Sequence, residues 1–170
     1  MPDAAATETL VIERTYDAPA TAVFDAFSDE EVMRRWWHAR PDWSTPEASV
    51  DLRVGGAVRV VMRDTDGDTH GGGGRYQVVD RPHRLVFTWT WDRSEEARET
   101  LIEITFAESE GSTAVTFTHS NLLDEASARD HEGGWNRCFD NLERTLAEAC
   151  AEGDGGEEPA GGPGRTEGPS

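Results

Sequence analysis

The sequence predicts an α+β fold: a curved antiparallel sheet wrapped around one long C-terminal helix, with two short helices after the first strand. Two observations carry that expectation. Between His131 and Cys150 the large apolar residues Trp135, Phe139, Leu142 and Leu146 recur at spacings of 4, 3 and 4. That is one stripe of an α-helix, with Asn136, Asp140, Glu143 and Arg144 turned away from it. Between residues 50 and 120, in contrast, short runs alternate apolar and polar side chains and are broken by Gly, Pro and Asp. Such alternation marks strands of a sheet that is wet on one face and covered on the other. The helix needs a surface to cover and the sheet needs a cover, so the two are expected to meet.

The elements follow in order. Residues 1–7 have no periodic pattern and are expected to be disordered. Leu10 to Tyr16 reads as a strand ended by Asp17-Ala-Pro, and Asp17 is expected to cap a helix with Pro19 in its first turn and Val23, Phe24 and Phe27 on one face. Ser28-Asp29-Glu30-Glu31 supplies a second cap and two first-turn carboxylates for a helix carrying Met33, Trp36 and Trp37. Residues 38–48, with Pro41, Trp43 and Pro46, read as a loop. Val50, Leu52 and Val54 alternate as a strand, Gly55-Gly56 turns the chain, and Val58, Val60 and Met62 alternate again. Gly71 to Gly74 lacks the Lys-Ser/Thr of a phosphate loop and is read as a flexible hairpin turn.

Tyr76 to Val79 is the next strand, followed by a turn at Asp80-Arg-Pro82. Leu85, Phe87, Trp89 and Trp91 then share one face, as do Ile102, Ile104 and Phe106, and finally Val115, Phe117 and His119. Asn121 to Asp130 reads as a loop or irregular turn, with Ser127 or Asp130 capping the long helix. The folded domain is expected over residues 8–151. Residues 152–170 are rich in Gly, Glu and Pro without a large apolar side chain, and are read as a disordered acidic tail.

Composition bounds the partners. The 170 residues carry a net charge of -18, with 16 Lys+Arg that are all Arg. Nucleic acid and anionic membrane are therefore not expected partners, because both need a concentrated positive surface. The exclusive use of Arg is associated with a GC-rich genome such as an actinomycete's, and acidity with a halophilic source. Without a signal peptide or a bilayer-spanning apolar run, a cytoplasmic protein is expected. Cys138 and Cys150 lie about 18 Å apart on the predicted helix, too far to bridge. His38, His70, His83 and His131 show no metal-binding spacing, so neither metal nor cofactor is expected. Oligomeric state is left open.

The residues that point to function are mostly apolar. Six Trp is a heavy load for such a chain, and Trp135, Trp89 and Trp36 or Trp37 are expected to converge between helix and sheet. From the inward faces, the expected lining is Trp36, Trp37, Val58, Val60, Met62, Phe87, Trp89, Ile104, Phe117, His119, Trp135, Phe139 and Leu142. His119 has two readings, a hydrogen-bonded core residue or a ligand contact and proton donor. Gly133-Gly134 near the start of the helix costs roughly 1 kcal/mol per residue relative to Ala, which suggests close approach of backbone or ligand. No Ser-His-Asp, G-x-S-x-G or paired-carboxylate pattern supports hydrolysis.

The element order is similar to the helix-grip fold shared by START domains and the birch-pollen-allergen type of ligand binder. Phe24-Asp-Ala-Phe27, Trp36-Trp37, Val50-Asp-Leu-Arg-Val-Gly-Gly56, Asp80-Arg-Pro-His-Arg-Leu-Val-Phe-Thr-Trp89, Thr113-Ala-Val-Thr-Phe-Thr-His-Ser120 and Gly134-Trp135 together resemble the Hsp90-ATPase-activator homologue family in its bacterial single-domain form. The resemblance covers about residues 8–150. It implies an apolar cavity for small hydrophobic molecules. Relatives in the wider superfamily include polyketide aromatase/cyclases and actinomycete self-resistance proteins that bind enediyne antibiotics and are cut by the drug's diradical, notably at glycine. The resulting expectation is a non-enzymatic binder of an aromatic or polycyclic molecule, with enediyne self-resistance as its sharpest version. A cyclase or aromatase using His119 and cavity Arg residues, and an Hsp90-type chaperone-interaction domain, are the alternatives.

Overall fold

The computed structural model describes residues 7–40, 42–92 and 98–157. The order is β1 (Glu8–Tyr16), α1 (Ala20–Ala26), α2 (Glu30–Trp36), β2 (Ser44–Val50), β3 (Ala57–Arg63), β4 (Thr69–Asp80), β5 (Arg84–Trp91), β6 (Thr100–Ser109), β7 (Ser112–Leu122) and α3 (Glu125–Glu157). The strands form one antiparallel sheet in the order β1-β7-β6-β5-β4-β3-β2. α3 packs against β1 and β7, with α1 and α2 beside it. The fold is therefore the α+β helix-grip arrangement that the alternating strands and the helical stripe predict.

The register explains the core. Ile104 pairs with Phe117 and Ile102 with His119, so the alternating apolar sets of β6 and β7 fall side by side on the covered face. Trp135, Phe139 and Leu142 of α3 are all buried against that face, while Leu146 packs at its edge. Each such side chain contributes on the order of 1.5–3 kcal/mol by leaving water. Arg14 of β1 fastens the outer side of α3, donating to the Asn136 carbonyl at 3.1 Å and the Asp140 carboxylate at 2.9 Å.

Several local expectations give way to tertiary pairing. Asp17 does not cap α1; Pro19 occupies that position, and the Ala20 N–H donates instead to the Glu108 carboxylate of β6 at 2.9 Å. Asp29 does cap α2, accepting from Glu31 and Val32 N–H at 2.9 and 3.3 Å. The second half of the stretch read as a loop is β2, because residues 47–50 find partners on β3. Conversely, the alternation through Leu52 and Val54 is not a strand: pairing stops at Val50, and Val54 is 65% exposed in the turn that follows.

Gly71 to Gly74 is not a turn but the middle of β4, and the turn lies upstream, where the Asp64 carboxylate accepts from Asp66 and Asp68 N–H. Glycine is required there by close approach. A Cβ on Gly72 would lie 2.7 Å from the Trp89 ring, and one on Gly74 only 1.9 Å from the Thr88 carbonyl. β7 runs on to Leu122, and α3 begins at Glu125, within the stretch read as a loop. Asp124, rather than Ser127 or Asp130, accepts the Ser127 N–H at 2.9 Å. The helix continues to Glu157, beyond the expected domain end at Ala151. The disorder expected for residues 1–6 and 158–170 falls outside the described residues, as does Pro41.

Candidate functional site

An apolar pocket of about 310 Å³ opens between the N-terminal half of α3, the end of α2 and the sheet. α3 supplies Asp130, His131, Gly134, Trp135 and Cys138 at spacings of one helical face; Trp37 and Ala39 follow α2; Trp43 precedes β2. Met62, His70 and Trp91 come from β3, β4 and the end of β5. Four of the six Trp thus line one space.

The walls are held by ring packing. Trp37 stacks on Trp36 at 5.4 Å and on Trp89 at 5.5 Å, and meets Trp135 edge-on at 5.3 Å. Trp135 stacks on Phe139 at 5.7 Å. Trp43 lies almost parallel to His70, with centroids 4.9 Å apart, and the His70 Nε2 is 2.9 Å from the Asp64 carboxylate. That hydrogen bond is the main cause holding the Asp64 carboxyl below its ordinary range.

Behind the pocket runs a closed polar chain. Trp135 Nε1–H donates to His119 Nδ1 at 3.2 Å, so His119 carries its proton on Nε2. That Nε2–H donates to the Thr100 hydroxyl at 2.7 Å, and the hydroxyl donates to the Trp89 carbonyl at 2.9 Å. His119 is fully buried. Burial first, and then the neighbouring His131, push its pKa down to about 3. Both ring nitrogens are engaged and the ring is neutral, so His119 is the hydrogen-bonded core residue of its two readings: it orients Trp135.

His131 is ordered in the same way. Its Nε2 accepts from Trp91 Nε1–H at 3.2 Å, which leaves the proton on Nδ1, donated to the Ser127 carbonyl at 2.8 Å. Burial holds the Cys138 thiol well above its usual pKa, so it stays protonated and a poor nucleophile. Among the described residues that line the pocket none is an Arg. Among the described residues no group of three or more His, Cys, Asp or Glu could hold a metal ion.

Of the residues predicted to line a cavity, the structure brings Trp37, Met62 and Trp135 to the pocket. Trp36, Val58, Val60, Phe87, Trp89, Ile104, Phe117, Phe139 and Leu142 sit in the packed core behind it, with His119. The lining residues outside that expectation are Ala39, Trp43, His70, Trp91, Asp130, His131, Gly134 and Cys138. Trp43 as an aromatic on a loop, Trp91 on an inward strand face and Gly134 in a helix were signals for three of these. The two helix glycines have no packing reason, since a Cβ on Gly134 would meet only Ala39, at 3.7 Å.

The fold and the pocket define a helix-grip protein in which aromatic side chains wall an open space beside a core of buried side chains. The family model described as Activator of Hsp90 ATPase homolog 1-like protein matches residues 17–147. The chain belongs to that family. It is similar to the solved AHSA1 protein from Silicibacter pomeroyi, with 25% identity and a TM-score of 0.73 over 84% of this chain and 99% of that one. A protein from Rhizobium leguminosarum is 30% identical, with a TM-score of 0.70 over 84% and 96% of the two chains. An AHSA1-like protein from Aeromonas hydrophila is 27% identical, with a TM-score of 0.71 over 84% and 94%. No curated protein matches the chain. No helix among the described residues is long and apolar enough to cross a membrane.

Proposed function

We infer that this protein binds a hydrophobic, aromatic or polycyclic small molecule in the pocket beside α3. The observation that carries the reading is the tryptophan-walled opening next to a core of buried side chains. Binding sites of this kind are mostly apolar with a few placed polar groups, and their volumes start at roughly 300 Å³. Gly134 supports the same reading. A residue that costs roughly 1 kcal/mol in a helix is placed where a methyl would fit, and its absence leaves room on the pocket side.

The test is a titration of neutral polycycles of increasing size, read by Trp fluorescence and calorimetry. Affinity should rise with buried apolar area, at about 25 cal/mol per Å², and respond little to salt. Gly134→Leu should abolish it by filling the space. Absence of binding across the panel overturns the reading. The sharpest version of this function is self-resistance to an enediyne. A thiol-activated enediyne should then cut the chain at Gly134, the pocket glycine whose Cα hydrogens face a bound diradical, as read by mass spectrometry; an uncut chain sinks that version and leaves the broader one standing.

A further inference from the structure

We propose that the pocket selects its ligand by charge, taking aromatic molecules that carry an ammonium or quaternary ammonium group in preference to neutral or anionic molecules of the same shape. The inference rests on the ligand-binding reading above and adds the chemistry of the bound group.

Four features of the site agree. Indole rings carry negative π faces, and of the four that line this space Trp37 is stacked against Trp36 and Trp89 and Trp135 against Phe139. The other two, Trp43 and Trp91, are only half-buried and are the rings whose surface a cation can reach. Asp130, an exposed residue at the rim, is among the lining residues and makes no ion pair with any described residue. The two histidines in the wall offer little to an anion. Both His131 nitrogens are occupied, by Ser127 and Trp91, and His70 directs Nε2 to Asp64. The whole chain, at -18, adds a negative field that draws cations toward the opening and repels anions.

Two arginines of a neighbouring groove do not reverse this balance. Arg34 and Arg35 line a separate groove that shares only Trp43 with the pocket. Glu31 sits in that groove too, and Arg34 Nε donates to the Thr45 carbonyl at 3.3 Å. Among the described residues that line the pocket, a carboxylate would face indole rings and Asp130 and no Arg. An ammonium meets the opposite conditions, and a quaternary one also escapes the need for hydrogen-bond acceptors that the apolar walls lack.

The experiment compares three probes on one ring system: (1-naphthylmethyl)trimethylammonium, 1-naphthylmethanol and 1-naphthylacetate, titrated calorimetrically into the intact protein at low and at high salt. The ammonium should bind about threefold to tenfold more tightly than the alcohol, and the acetate more weakly than the alcohol. Asp130→Asn should narrow the gap between ammonium and alcohol, weakening the ammonium more than the alcohol. Equal affinity for all three probes overturns the charge inference while the pocket reading survives. So does a preference for the acetate, and its loss in Arg35→Gln would place the anion in the neighbouring groove. Binding by none of the three, together with no binding in the neutral polycycle panel, removes the pocket reading and this inference with it.

Discussion

Acidification should destabilise this protein in good part through one side chain, His119. The ring is fully buried, with its pKa depressed from 6.5 to about 3. A depressed histidine binds its proton more readily in the unfolded chain. Its contribution to stability is therefore complete above the unfolded pKa of 6.5 and is lost as pH falls from there toward about 3. At pH 5 the unfolded ring is almost wholly protonated and the folded ring hardly at all, which amounts to a loss of about 2 kcal/mol relative to pH 7.5. The assay is urea unfolding of wild type and His119→Gln at both pH values. The variant should be less stable at pH 7.5, by about 1–3 kcal/mol for its broken hydrogen bonds, but should lose about 2 kcal/mol less on acidification. His38, also lowered, by burial and then by Arg144, contributes in the same direction, and it cancels because both proteins carry it. Equal acid losses in the two proteins refute the argument. Nitrogen chemical shifts of wild type provide a check independent of the variant: at pH 5 His119 should remain neutral with its proton on Nε2, and an imidazolium signature there contradicts the buried chain from Trp135 to Trp89.

Three further outcomes separate core from pocket. Trp135→Ala should cost about 3–5 kcal/mol, since its ring is buried and its N–H donates to His119, whereas Trp43→Ala should cost less than about 1 kcal/mol and still weaken ligand binding severalfold; similar stability losses for both would mean that the pocket wall is simply core. Gly72→Ala should destabilise by about 1–3 kcal/mol because its methyl meets the Trp89 ring, an effect a flexible turn would not show, and an unchanged chemical-denaturation midpoint would contradict the strand placement. Deleting residues 152–170 removes no large apolar side chain and should leave the thermal midpoint almost unmoved. A fall of about 5 °C would show that this segment docks on the domain.

The sequence by itself determined the long helix, the inward faces of the strands and the family, because period and turn chemistry are local properties of the chain. A spacing of 4, 3 and 4 puts Trp135, Phe139 and Leu142 on one stripe whatever they pack against, and alternation settles that Phe117 and His119 point the same way. Where a local signal had a distant competitor, tertiary structure decided. The α1 cap went to Glu108 rather than Asp17, and the glycine run became a strand because Trp89 and Thr88 press against it. The same limit governs the site. Periodicity assigns a side chain to the covered face but not the distance to the surface opposite. Phe87, Trp89, Ile104 and Phe117 therefore read from the sequence as cavity walls, although all four are buried, with Trp37 stacked on Trp89 and Trp135 and Phe139 packed on Phe117. The space remains where the end of β3 at Met62, the end of β5 at Trp91 and the chain from Trp37 to Trp43 stand off from Gly134, a separation set by packing at all of these elements together.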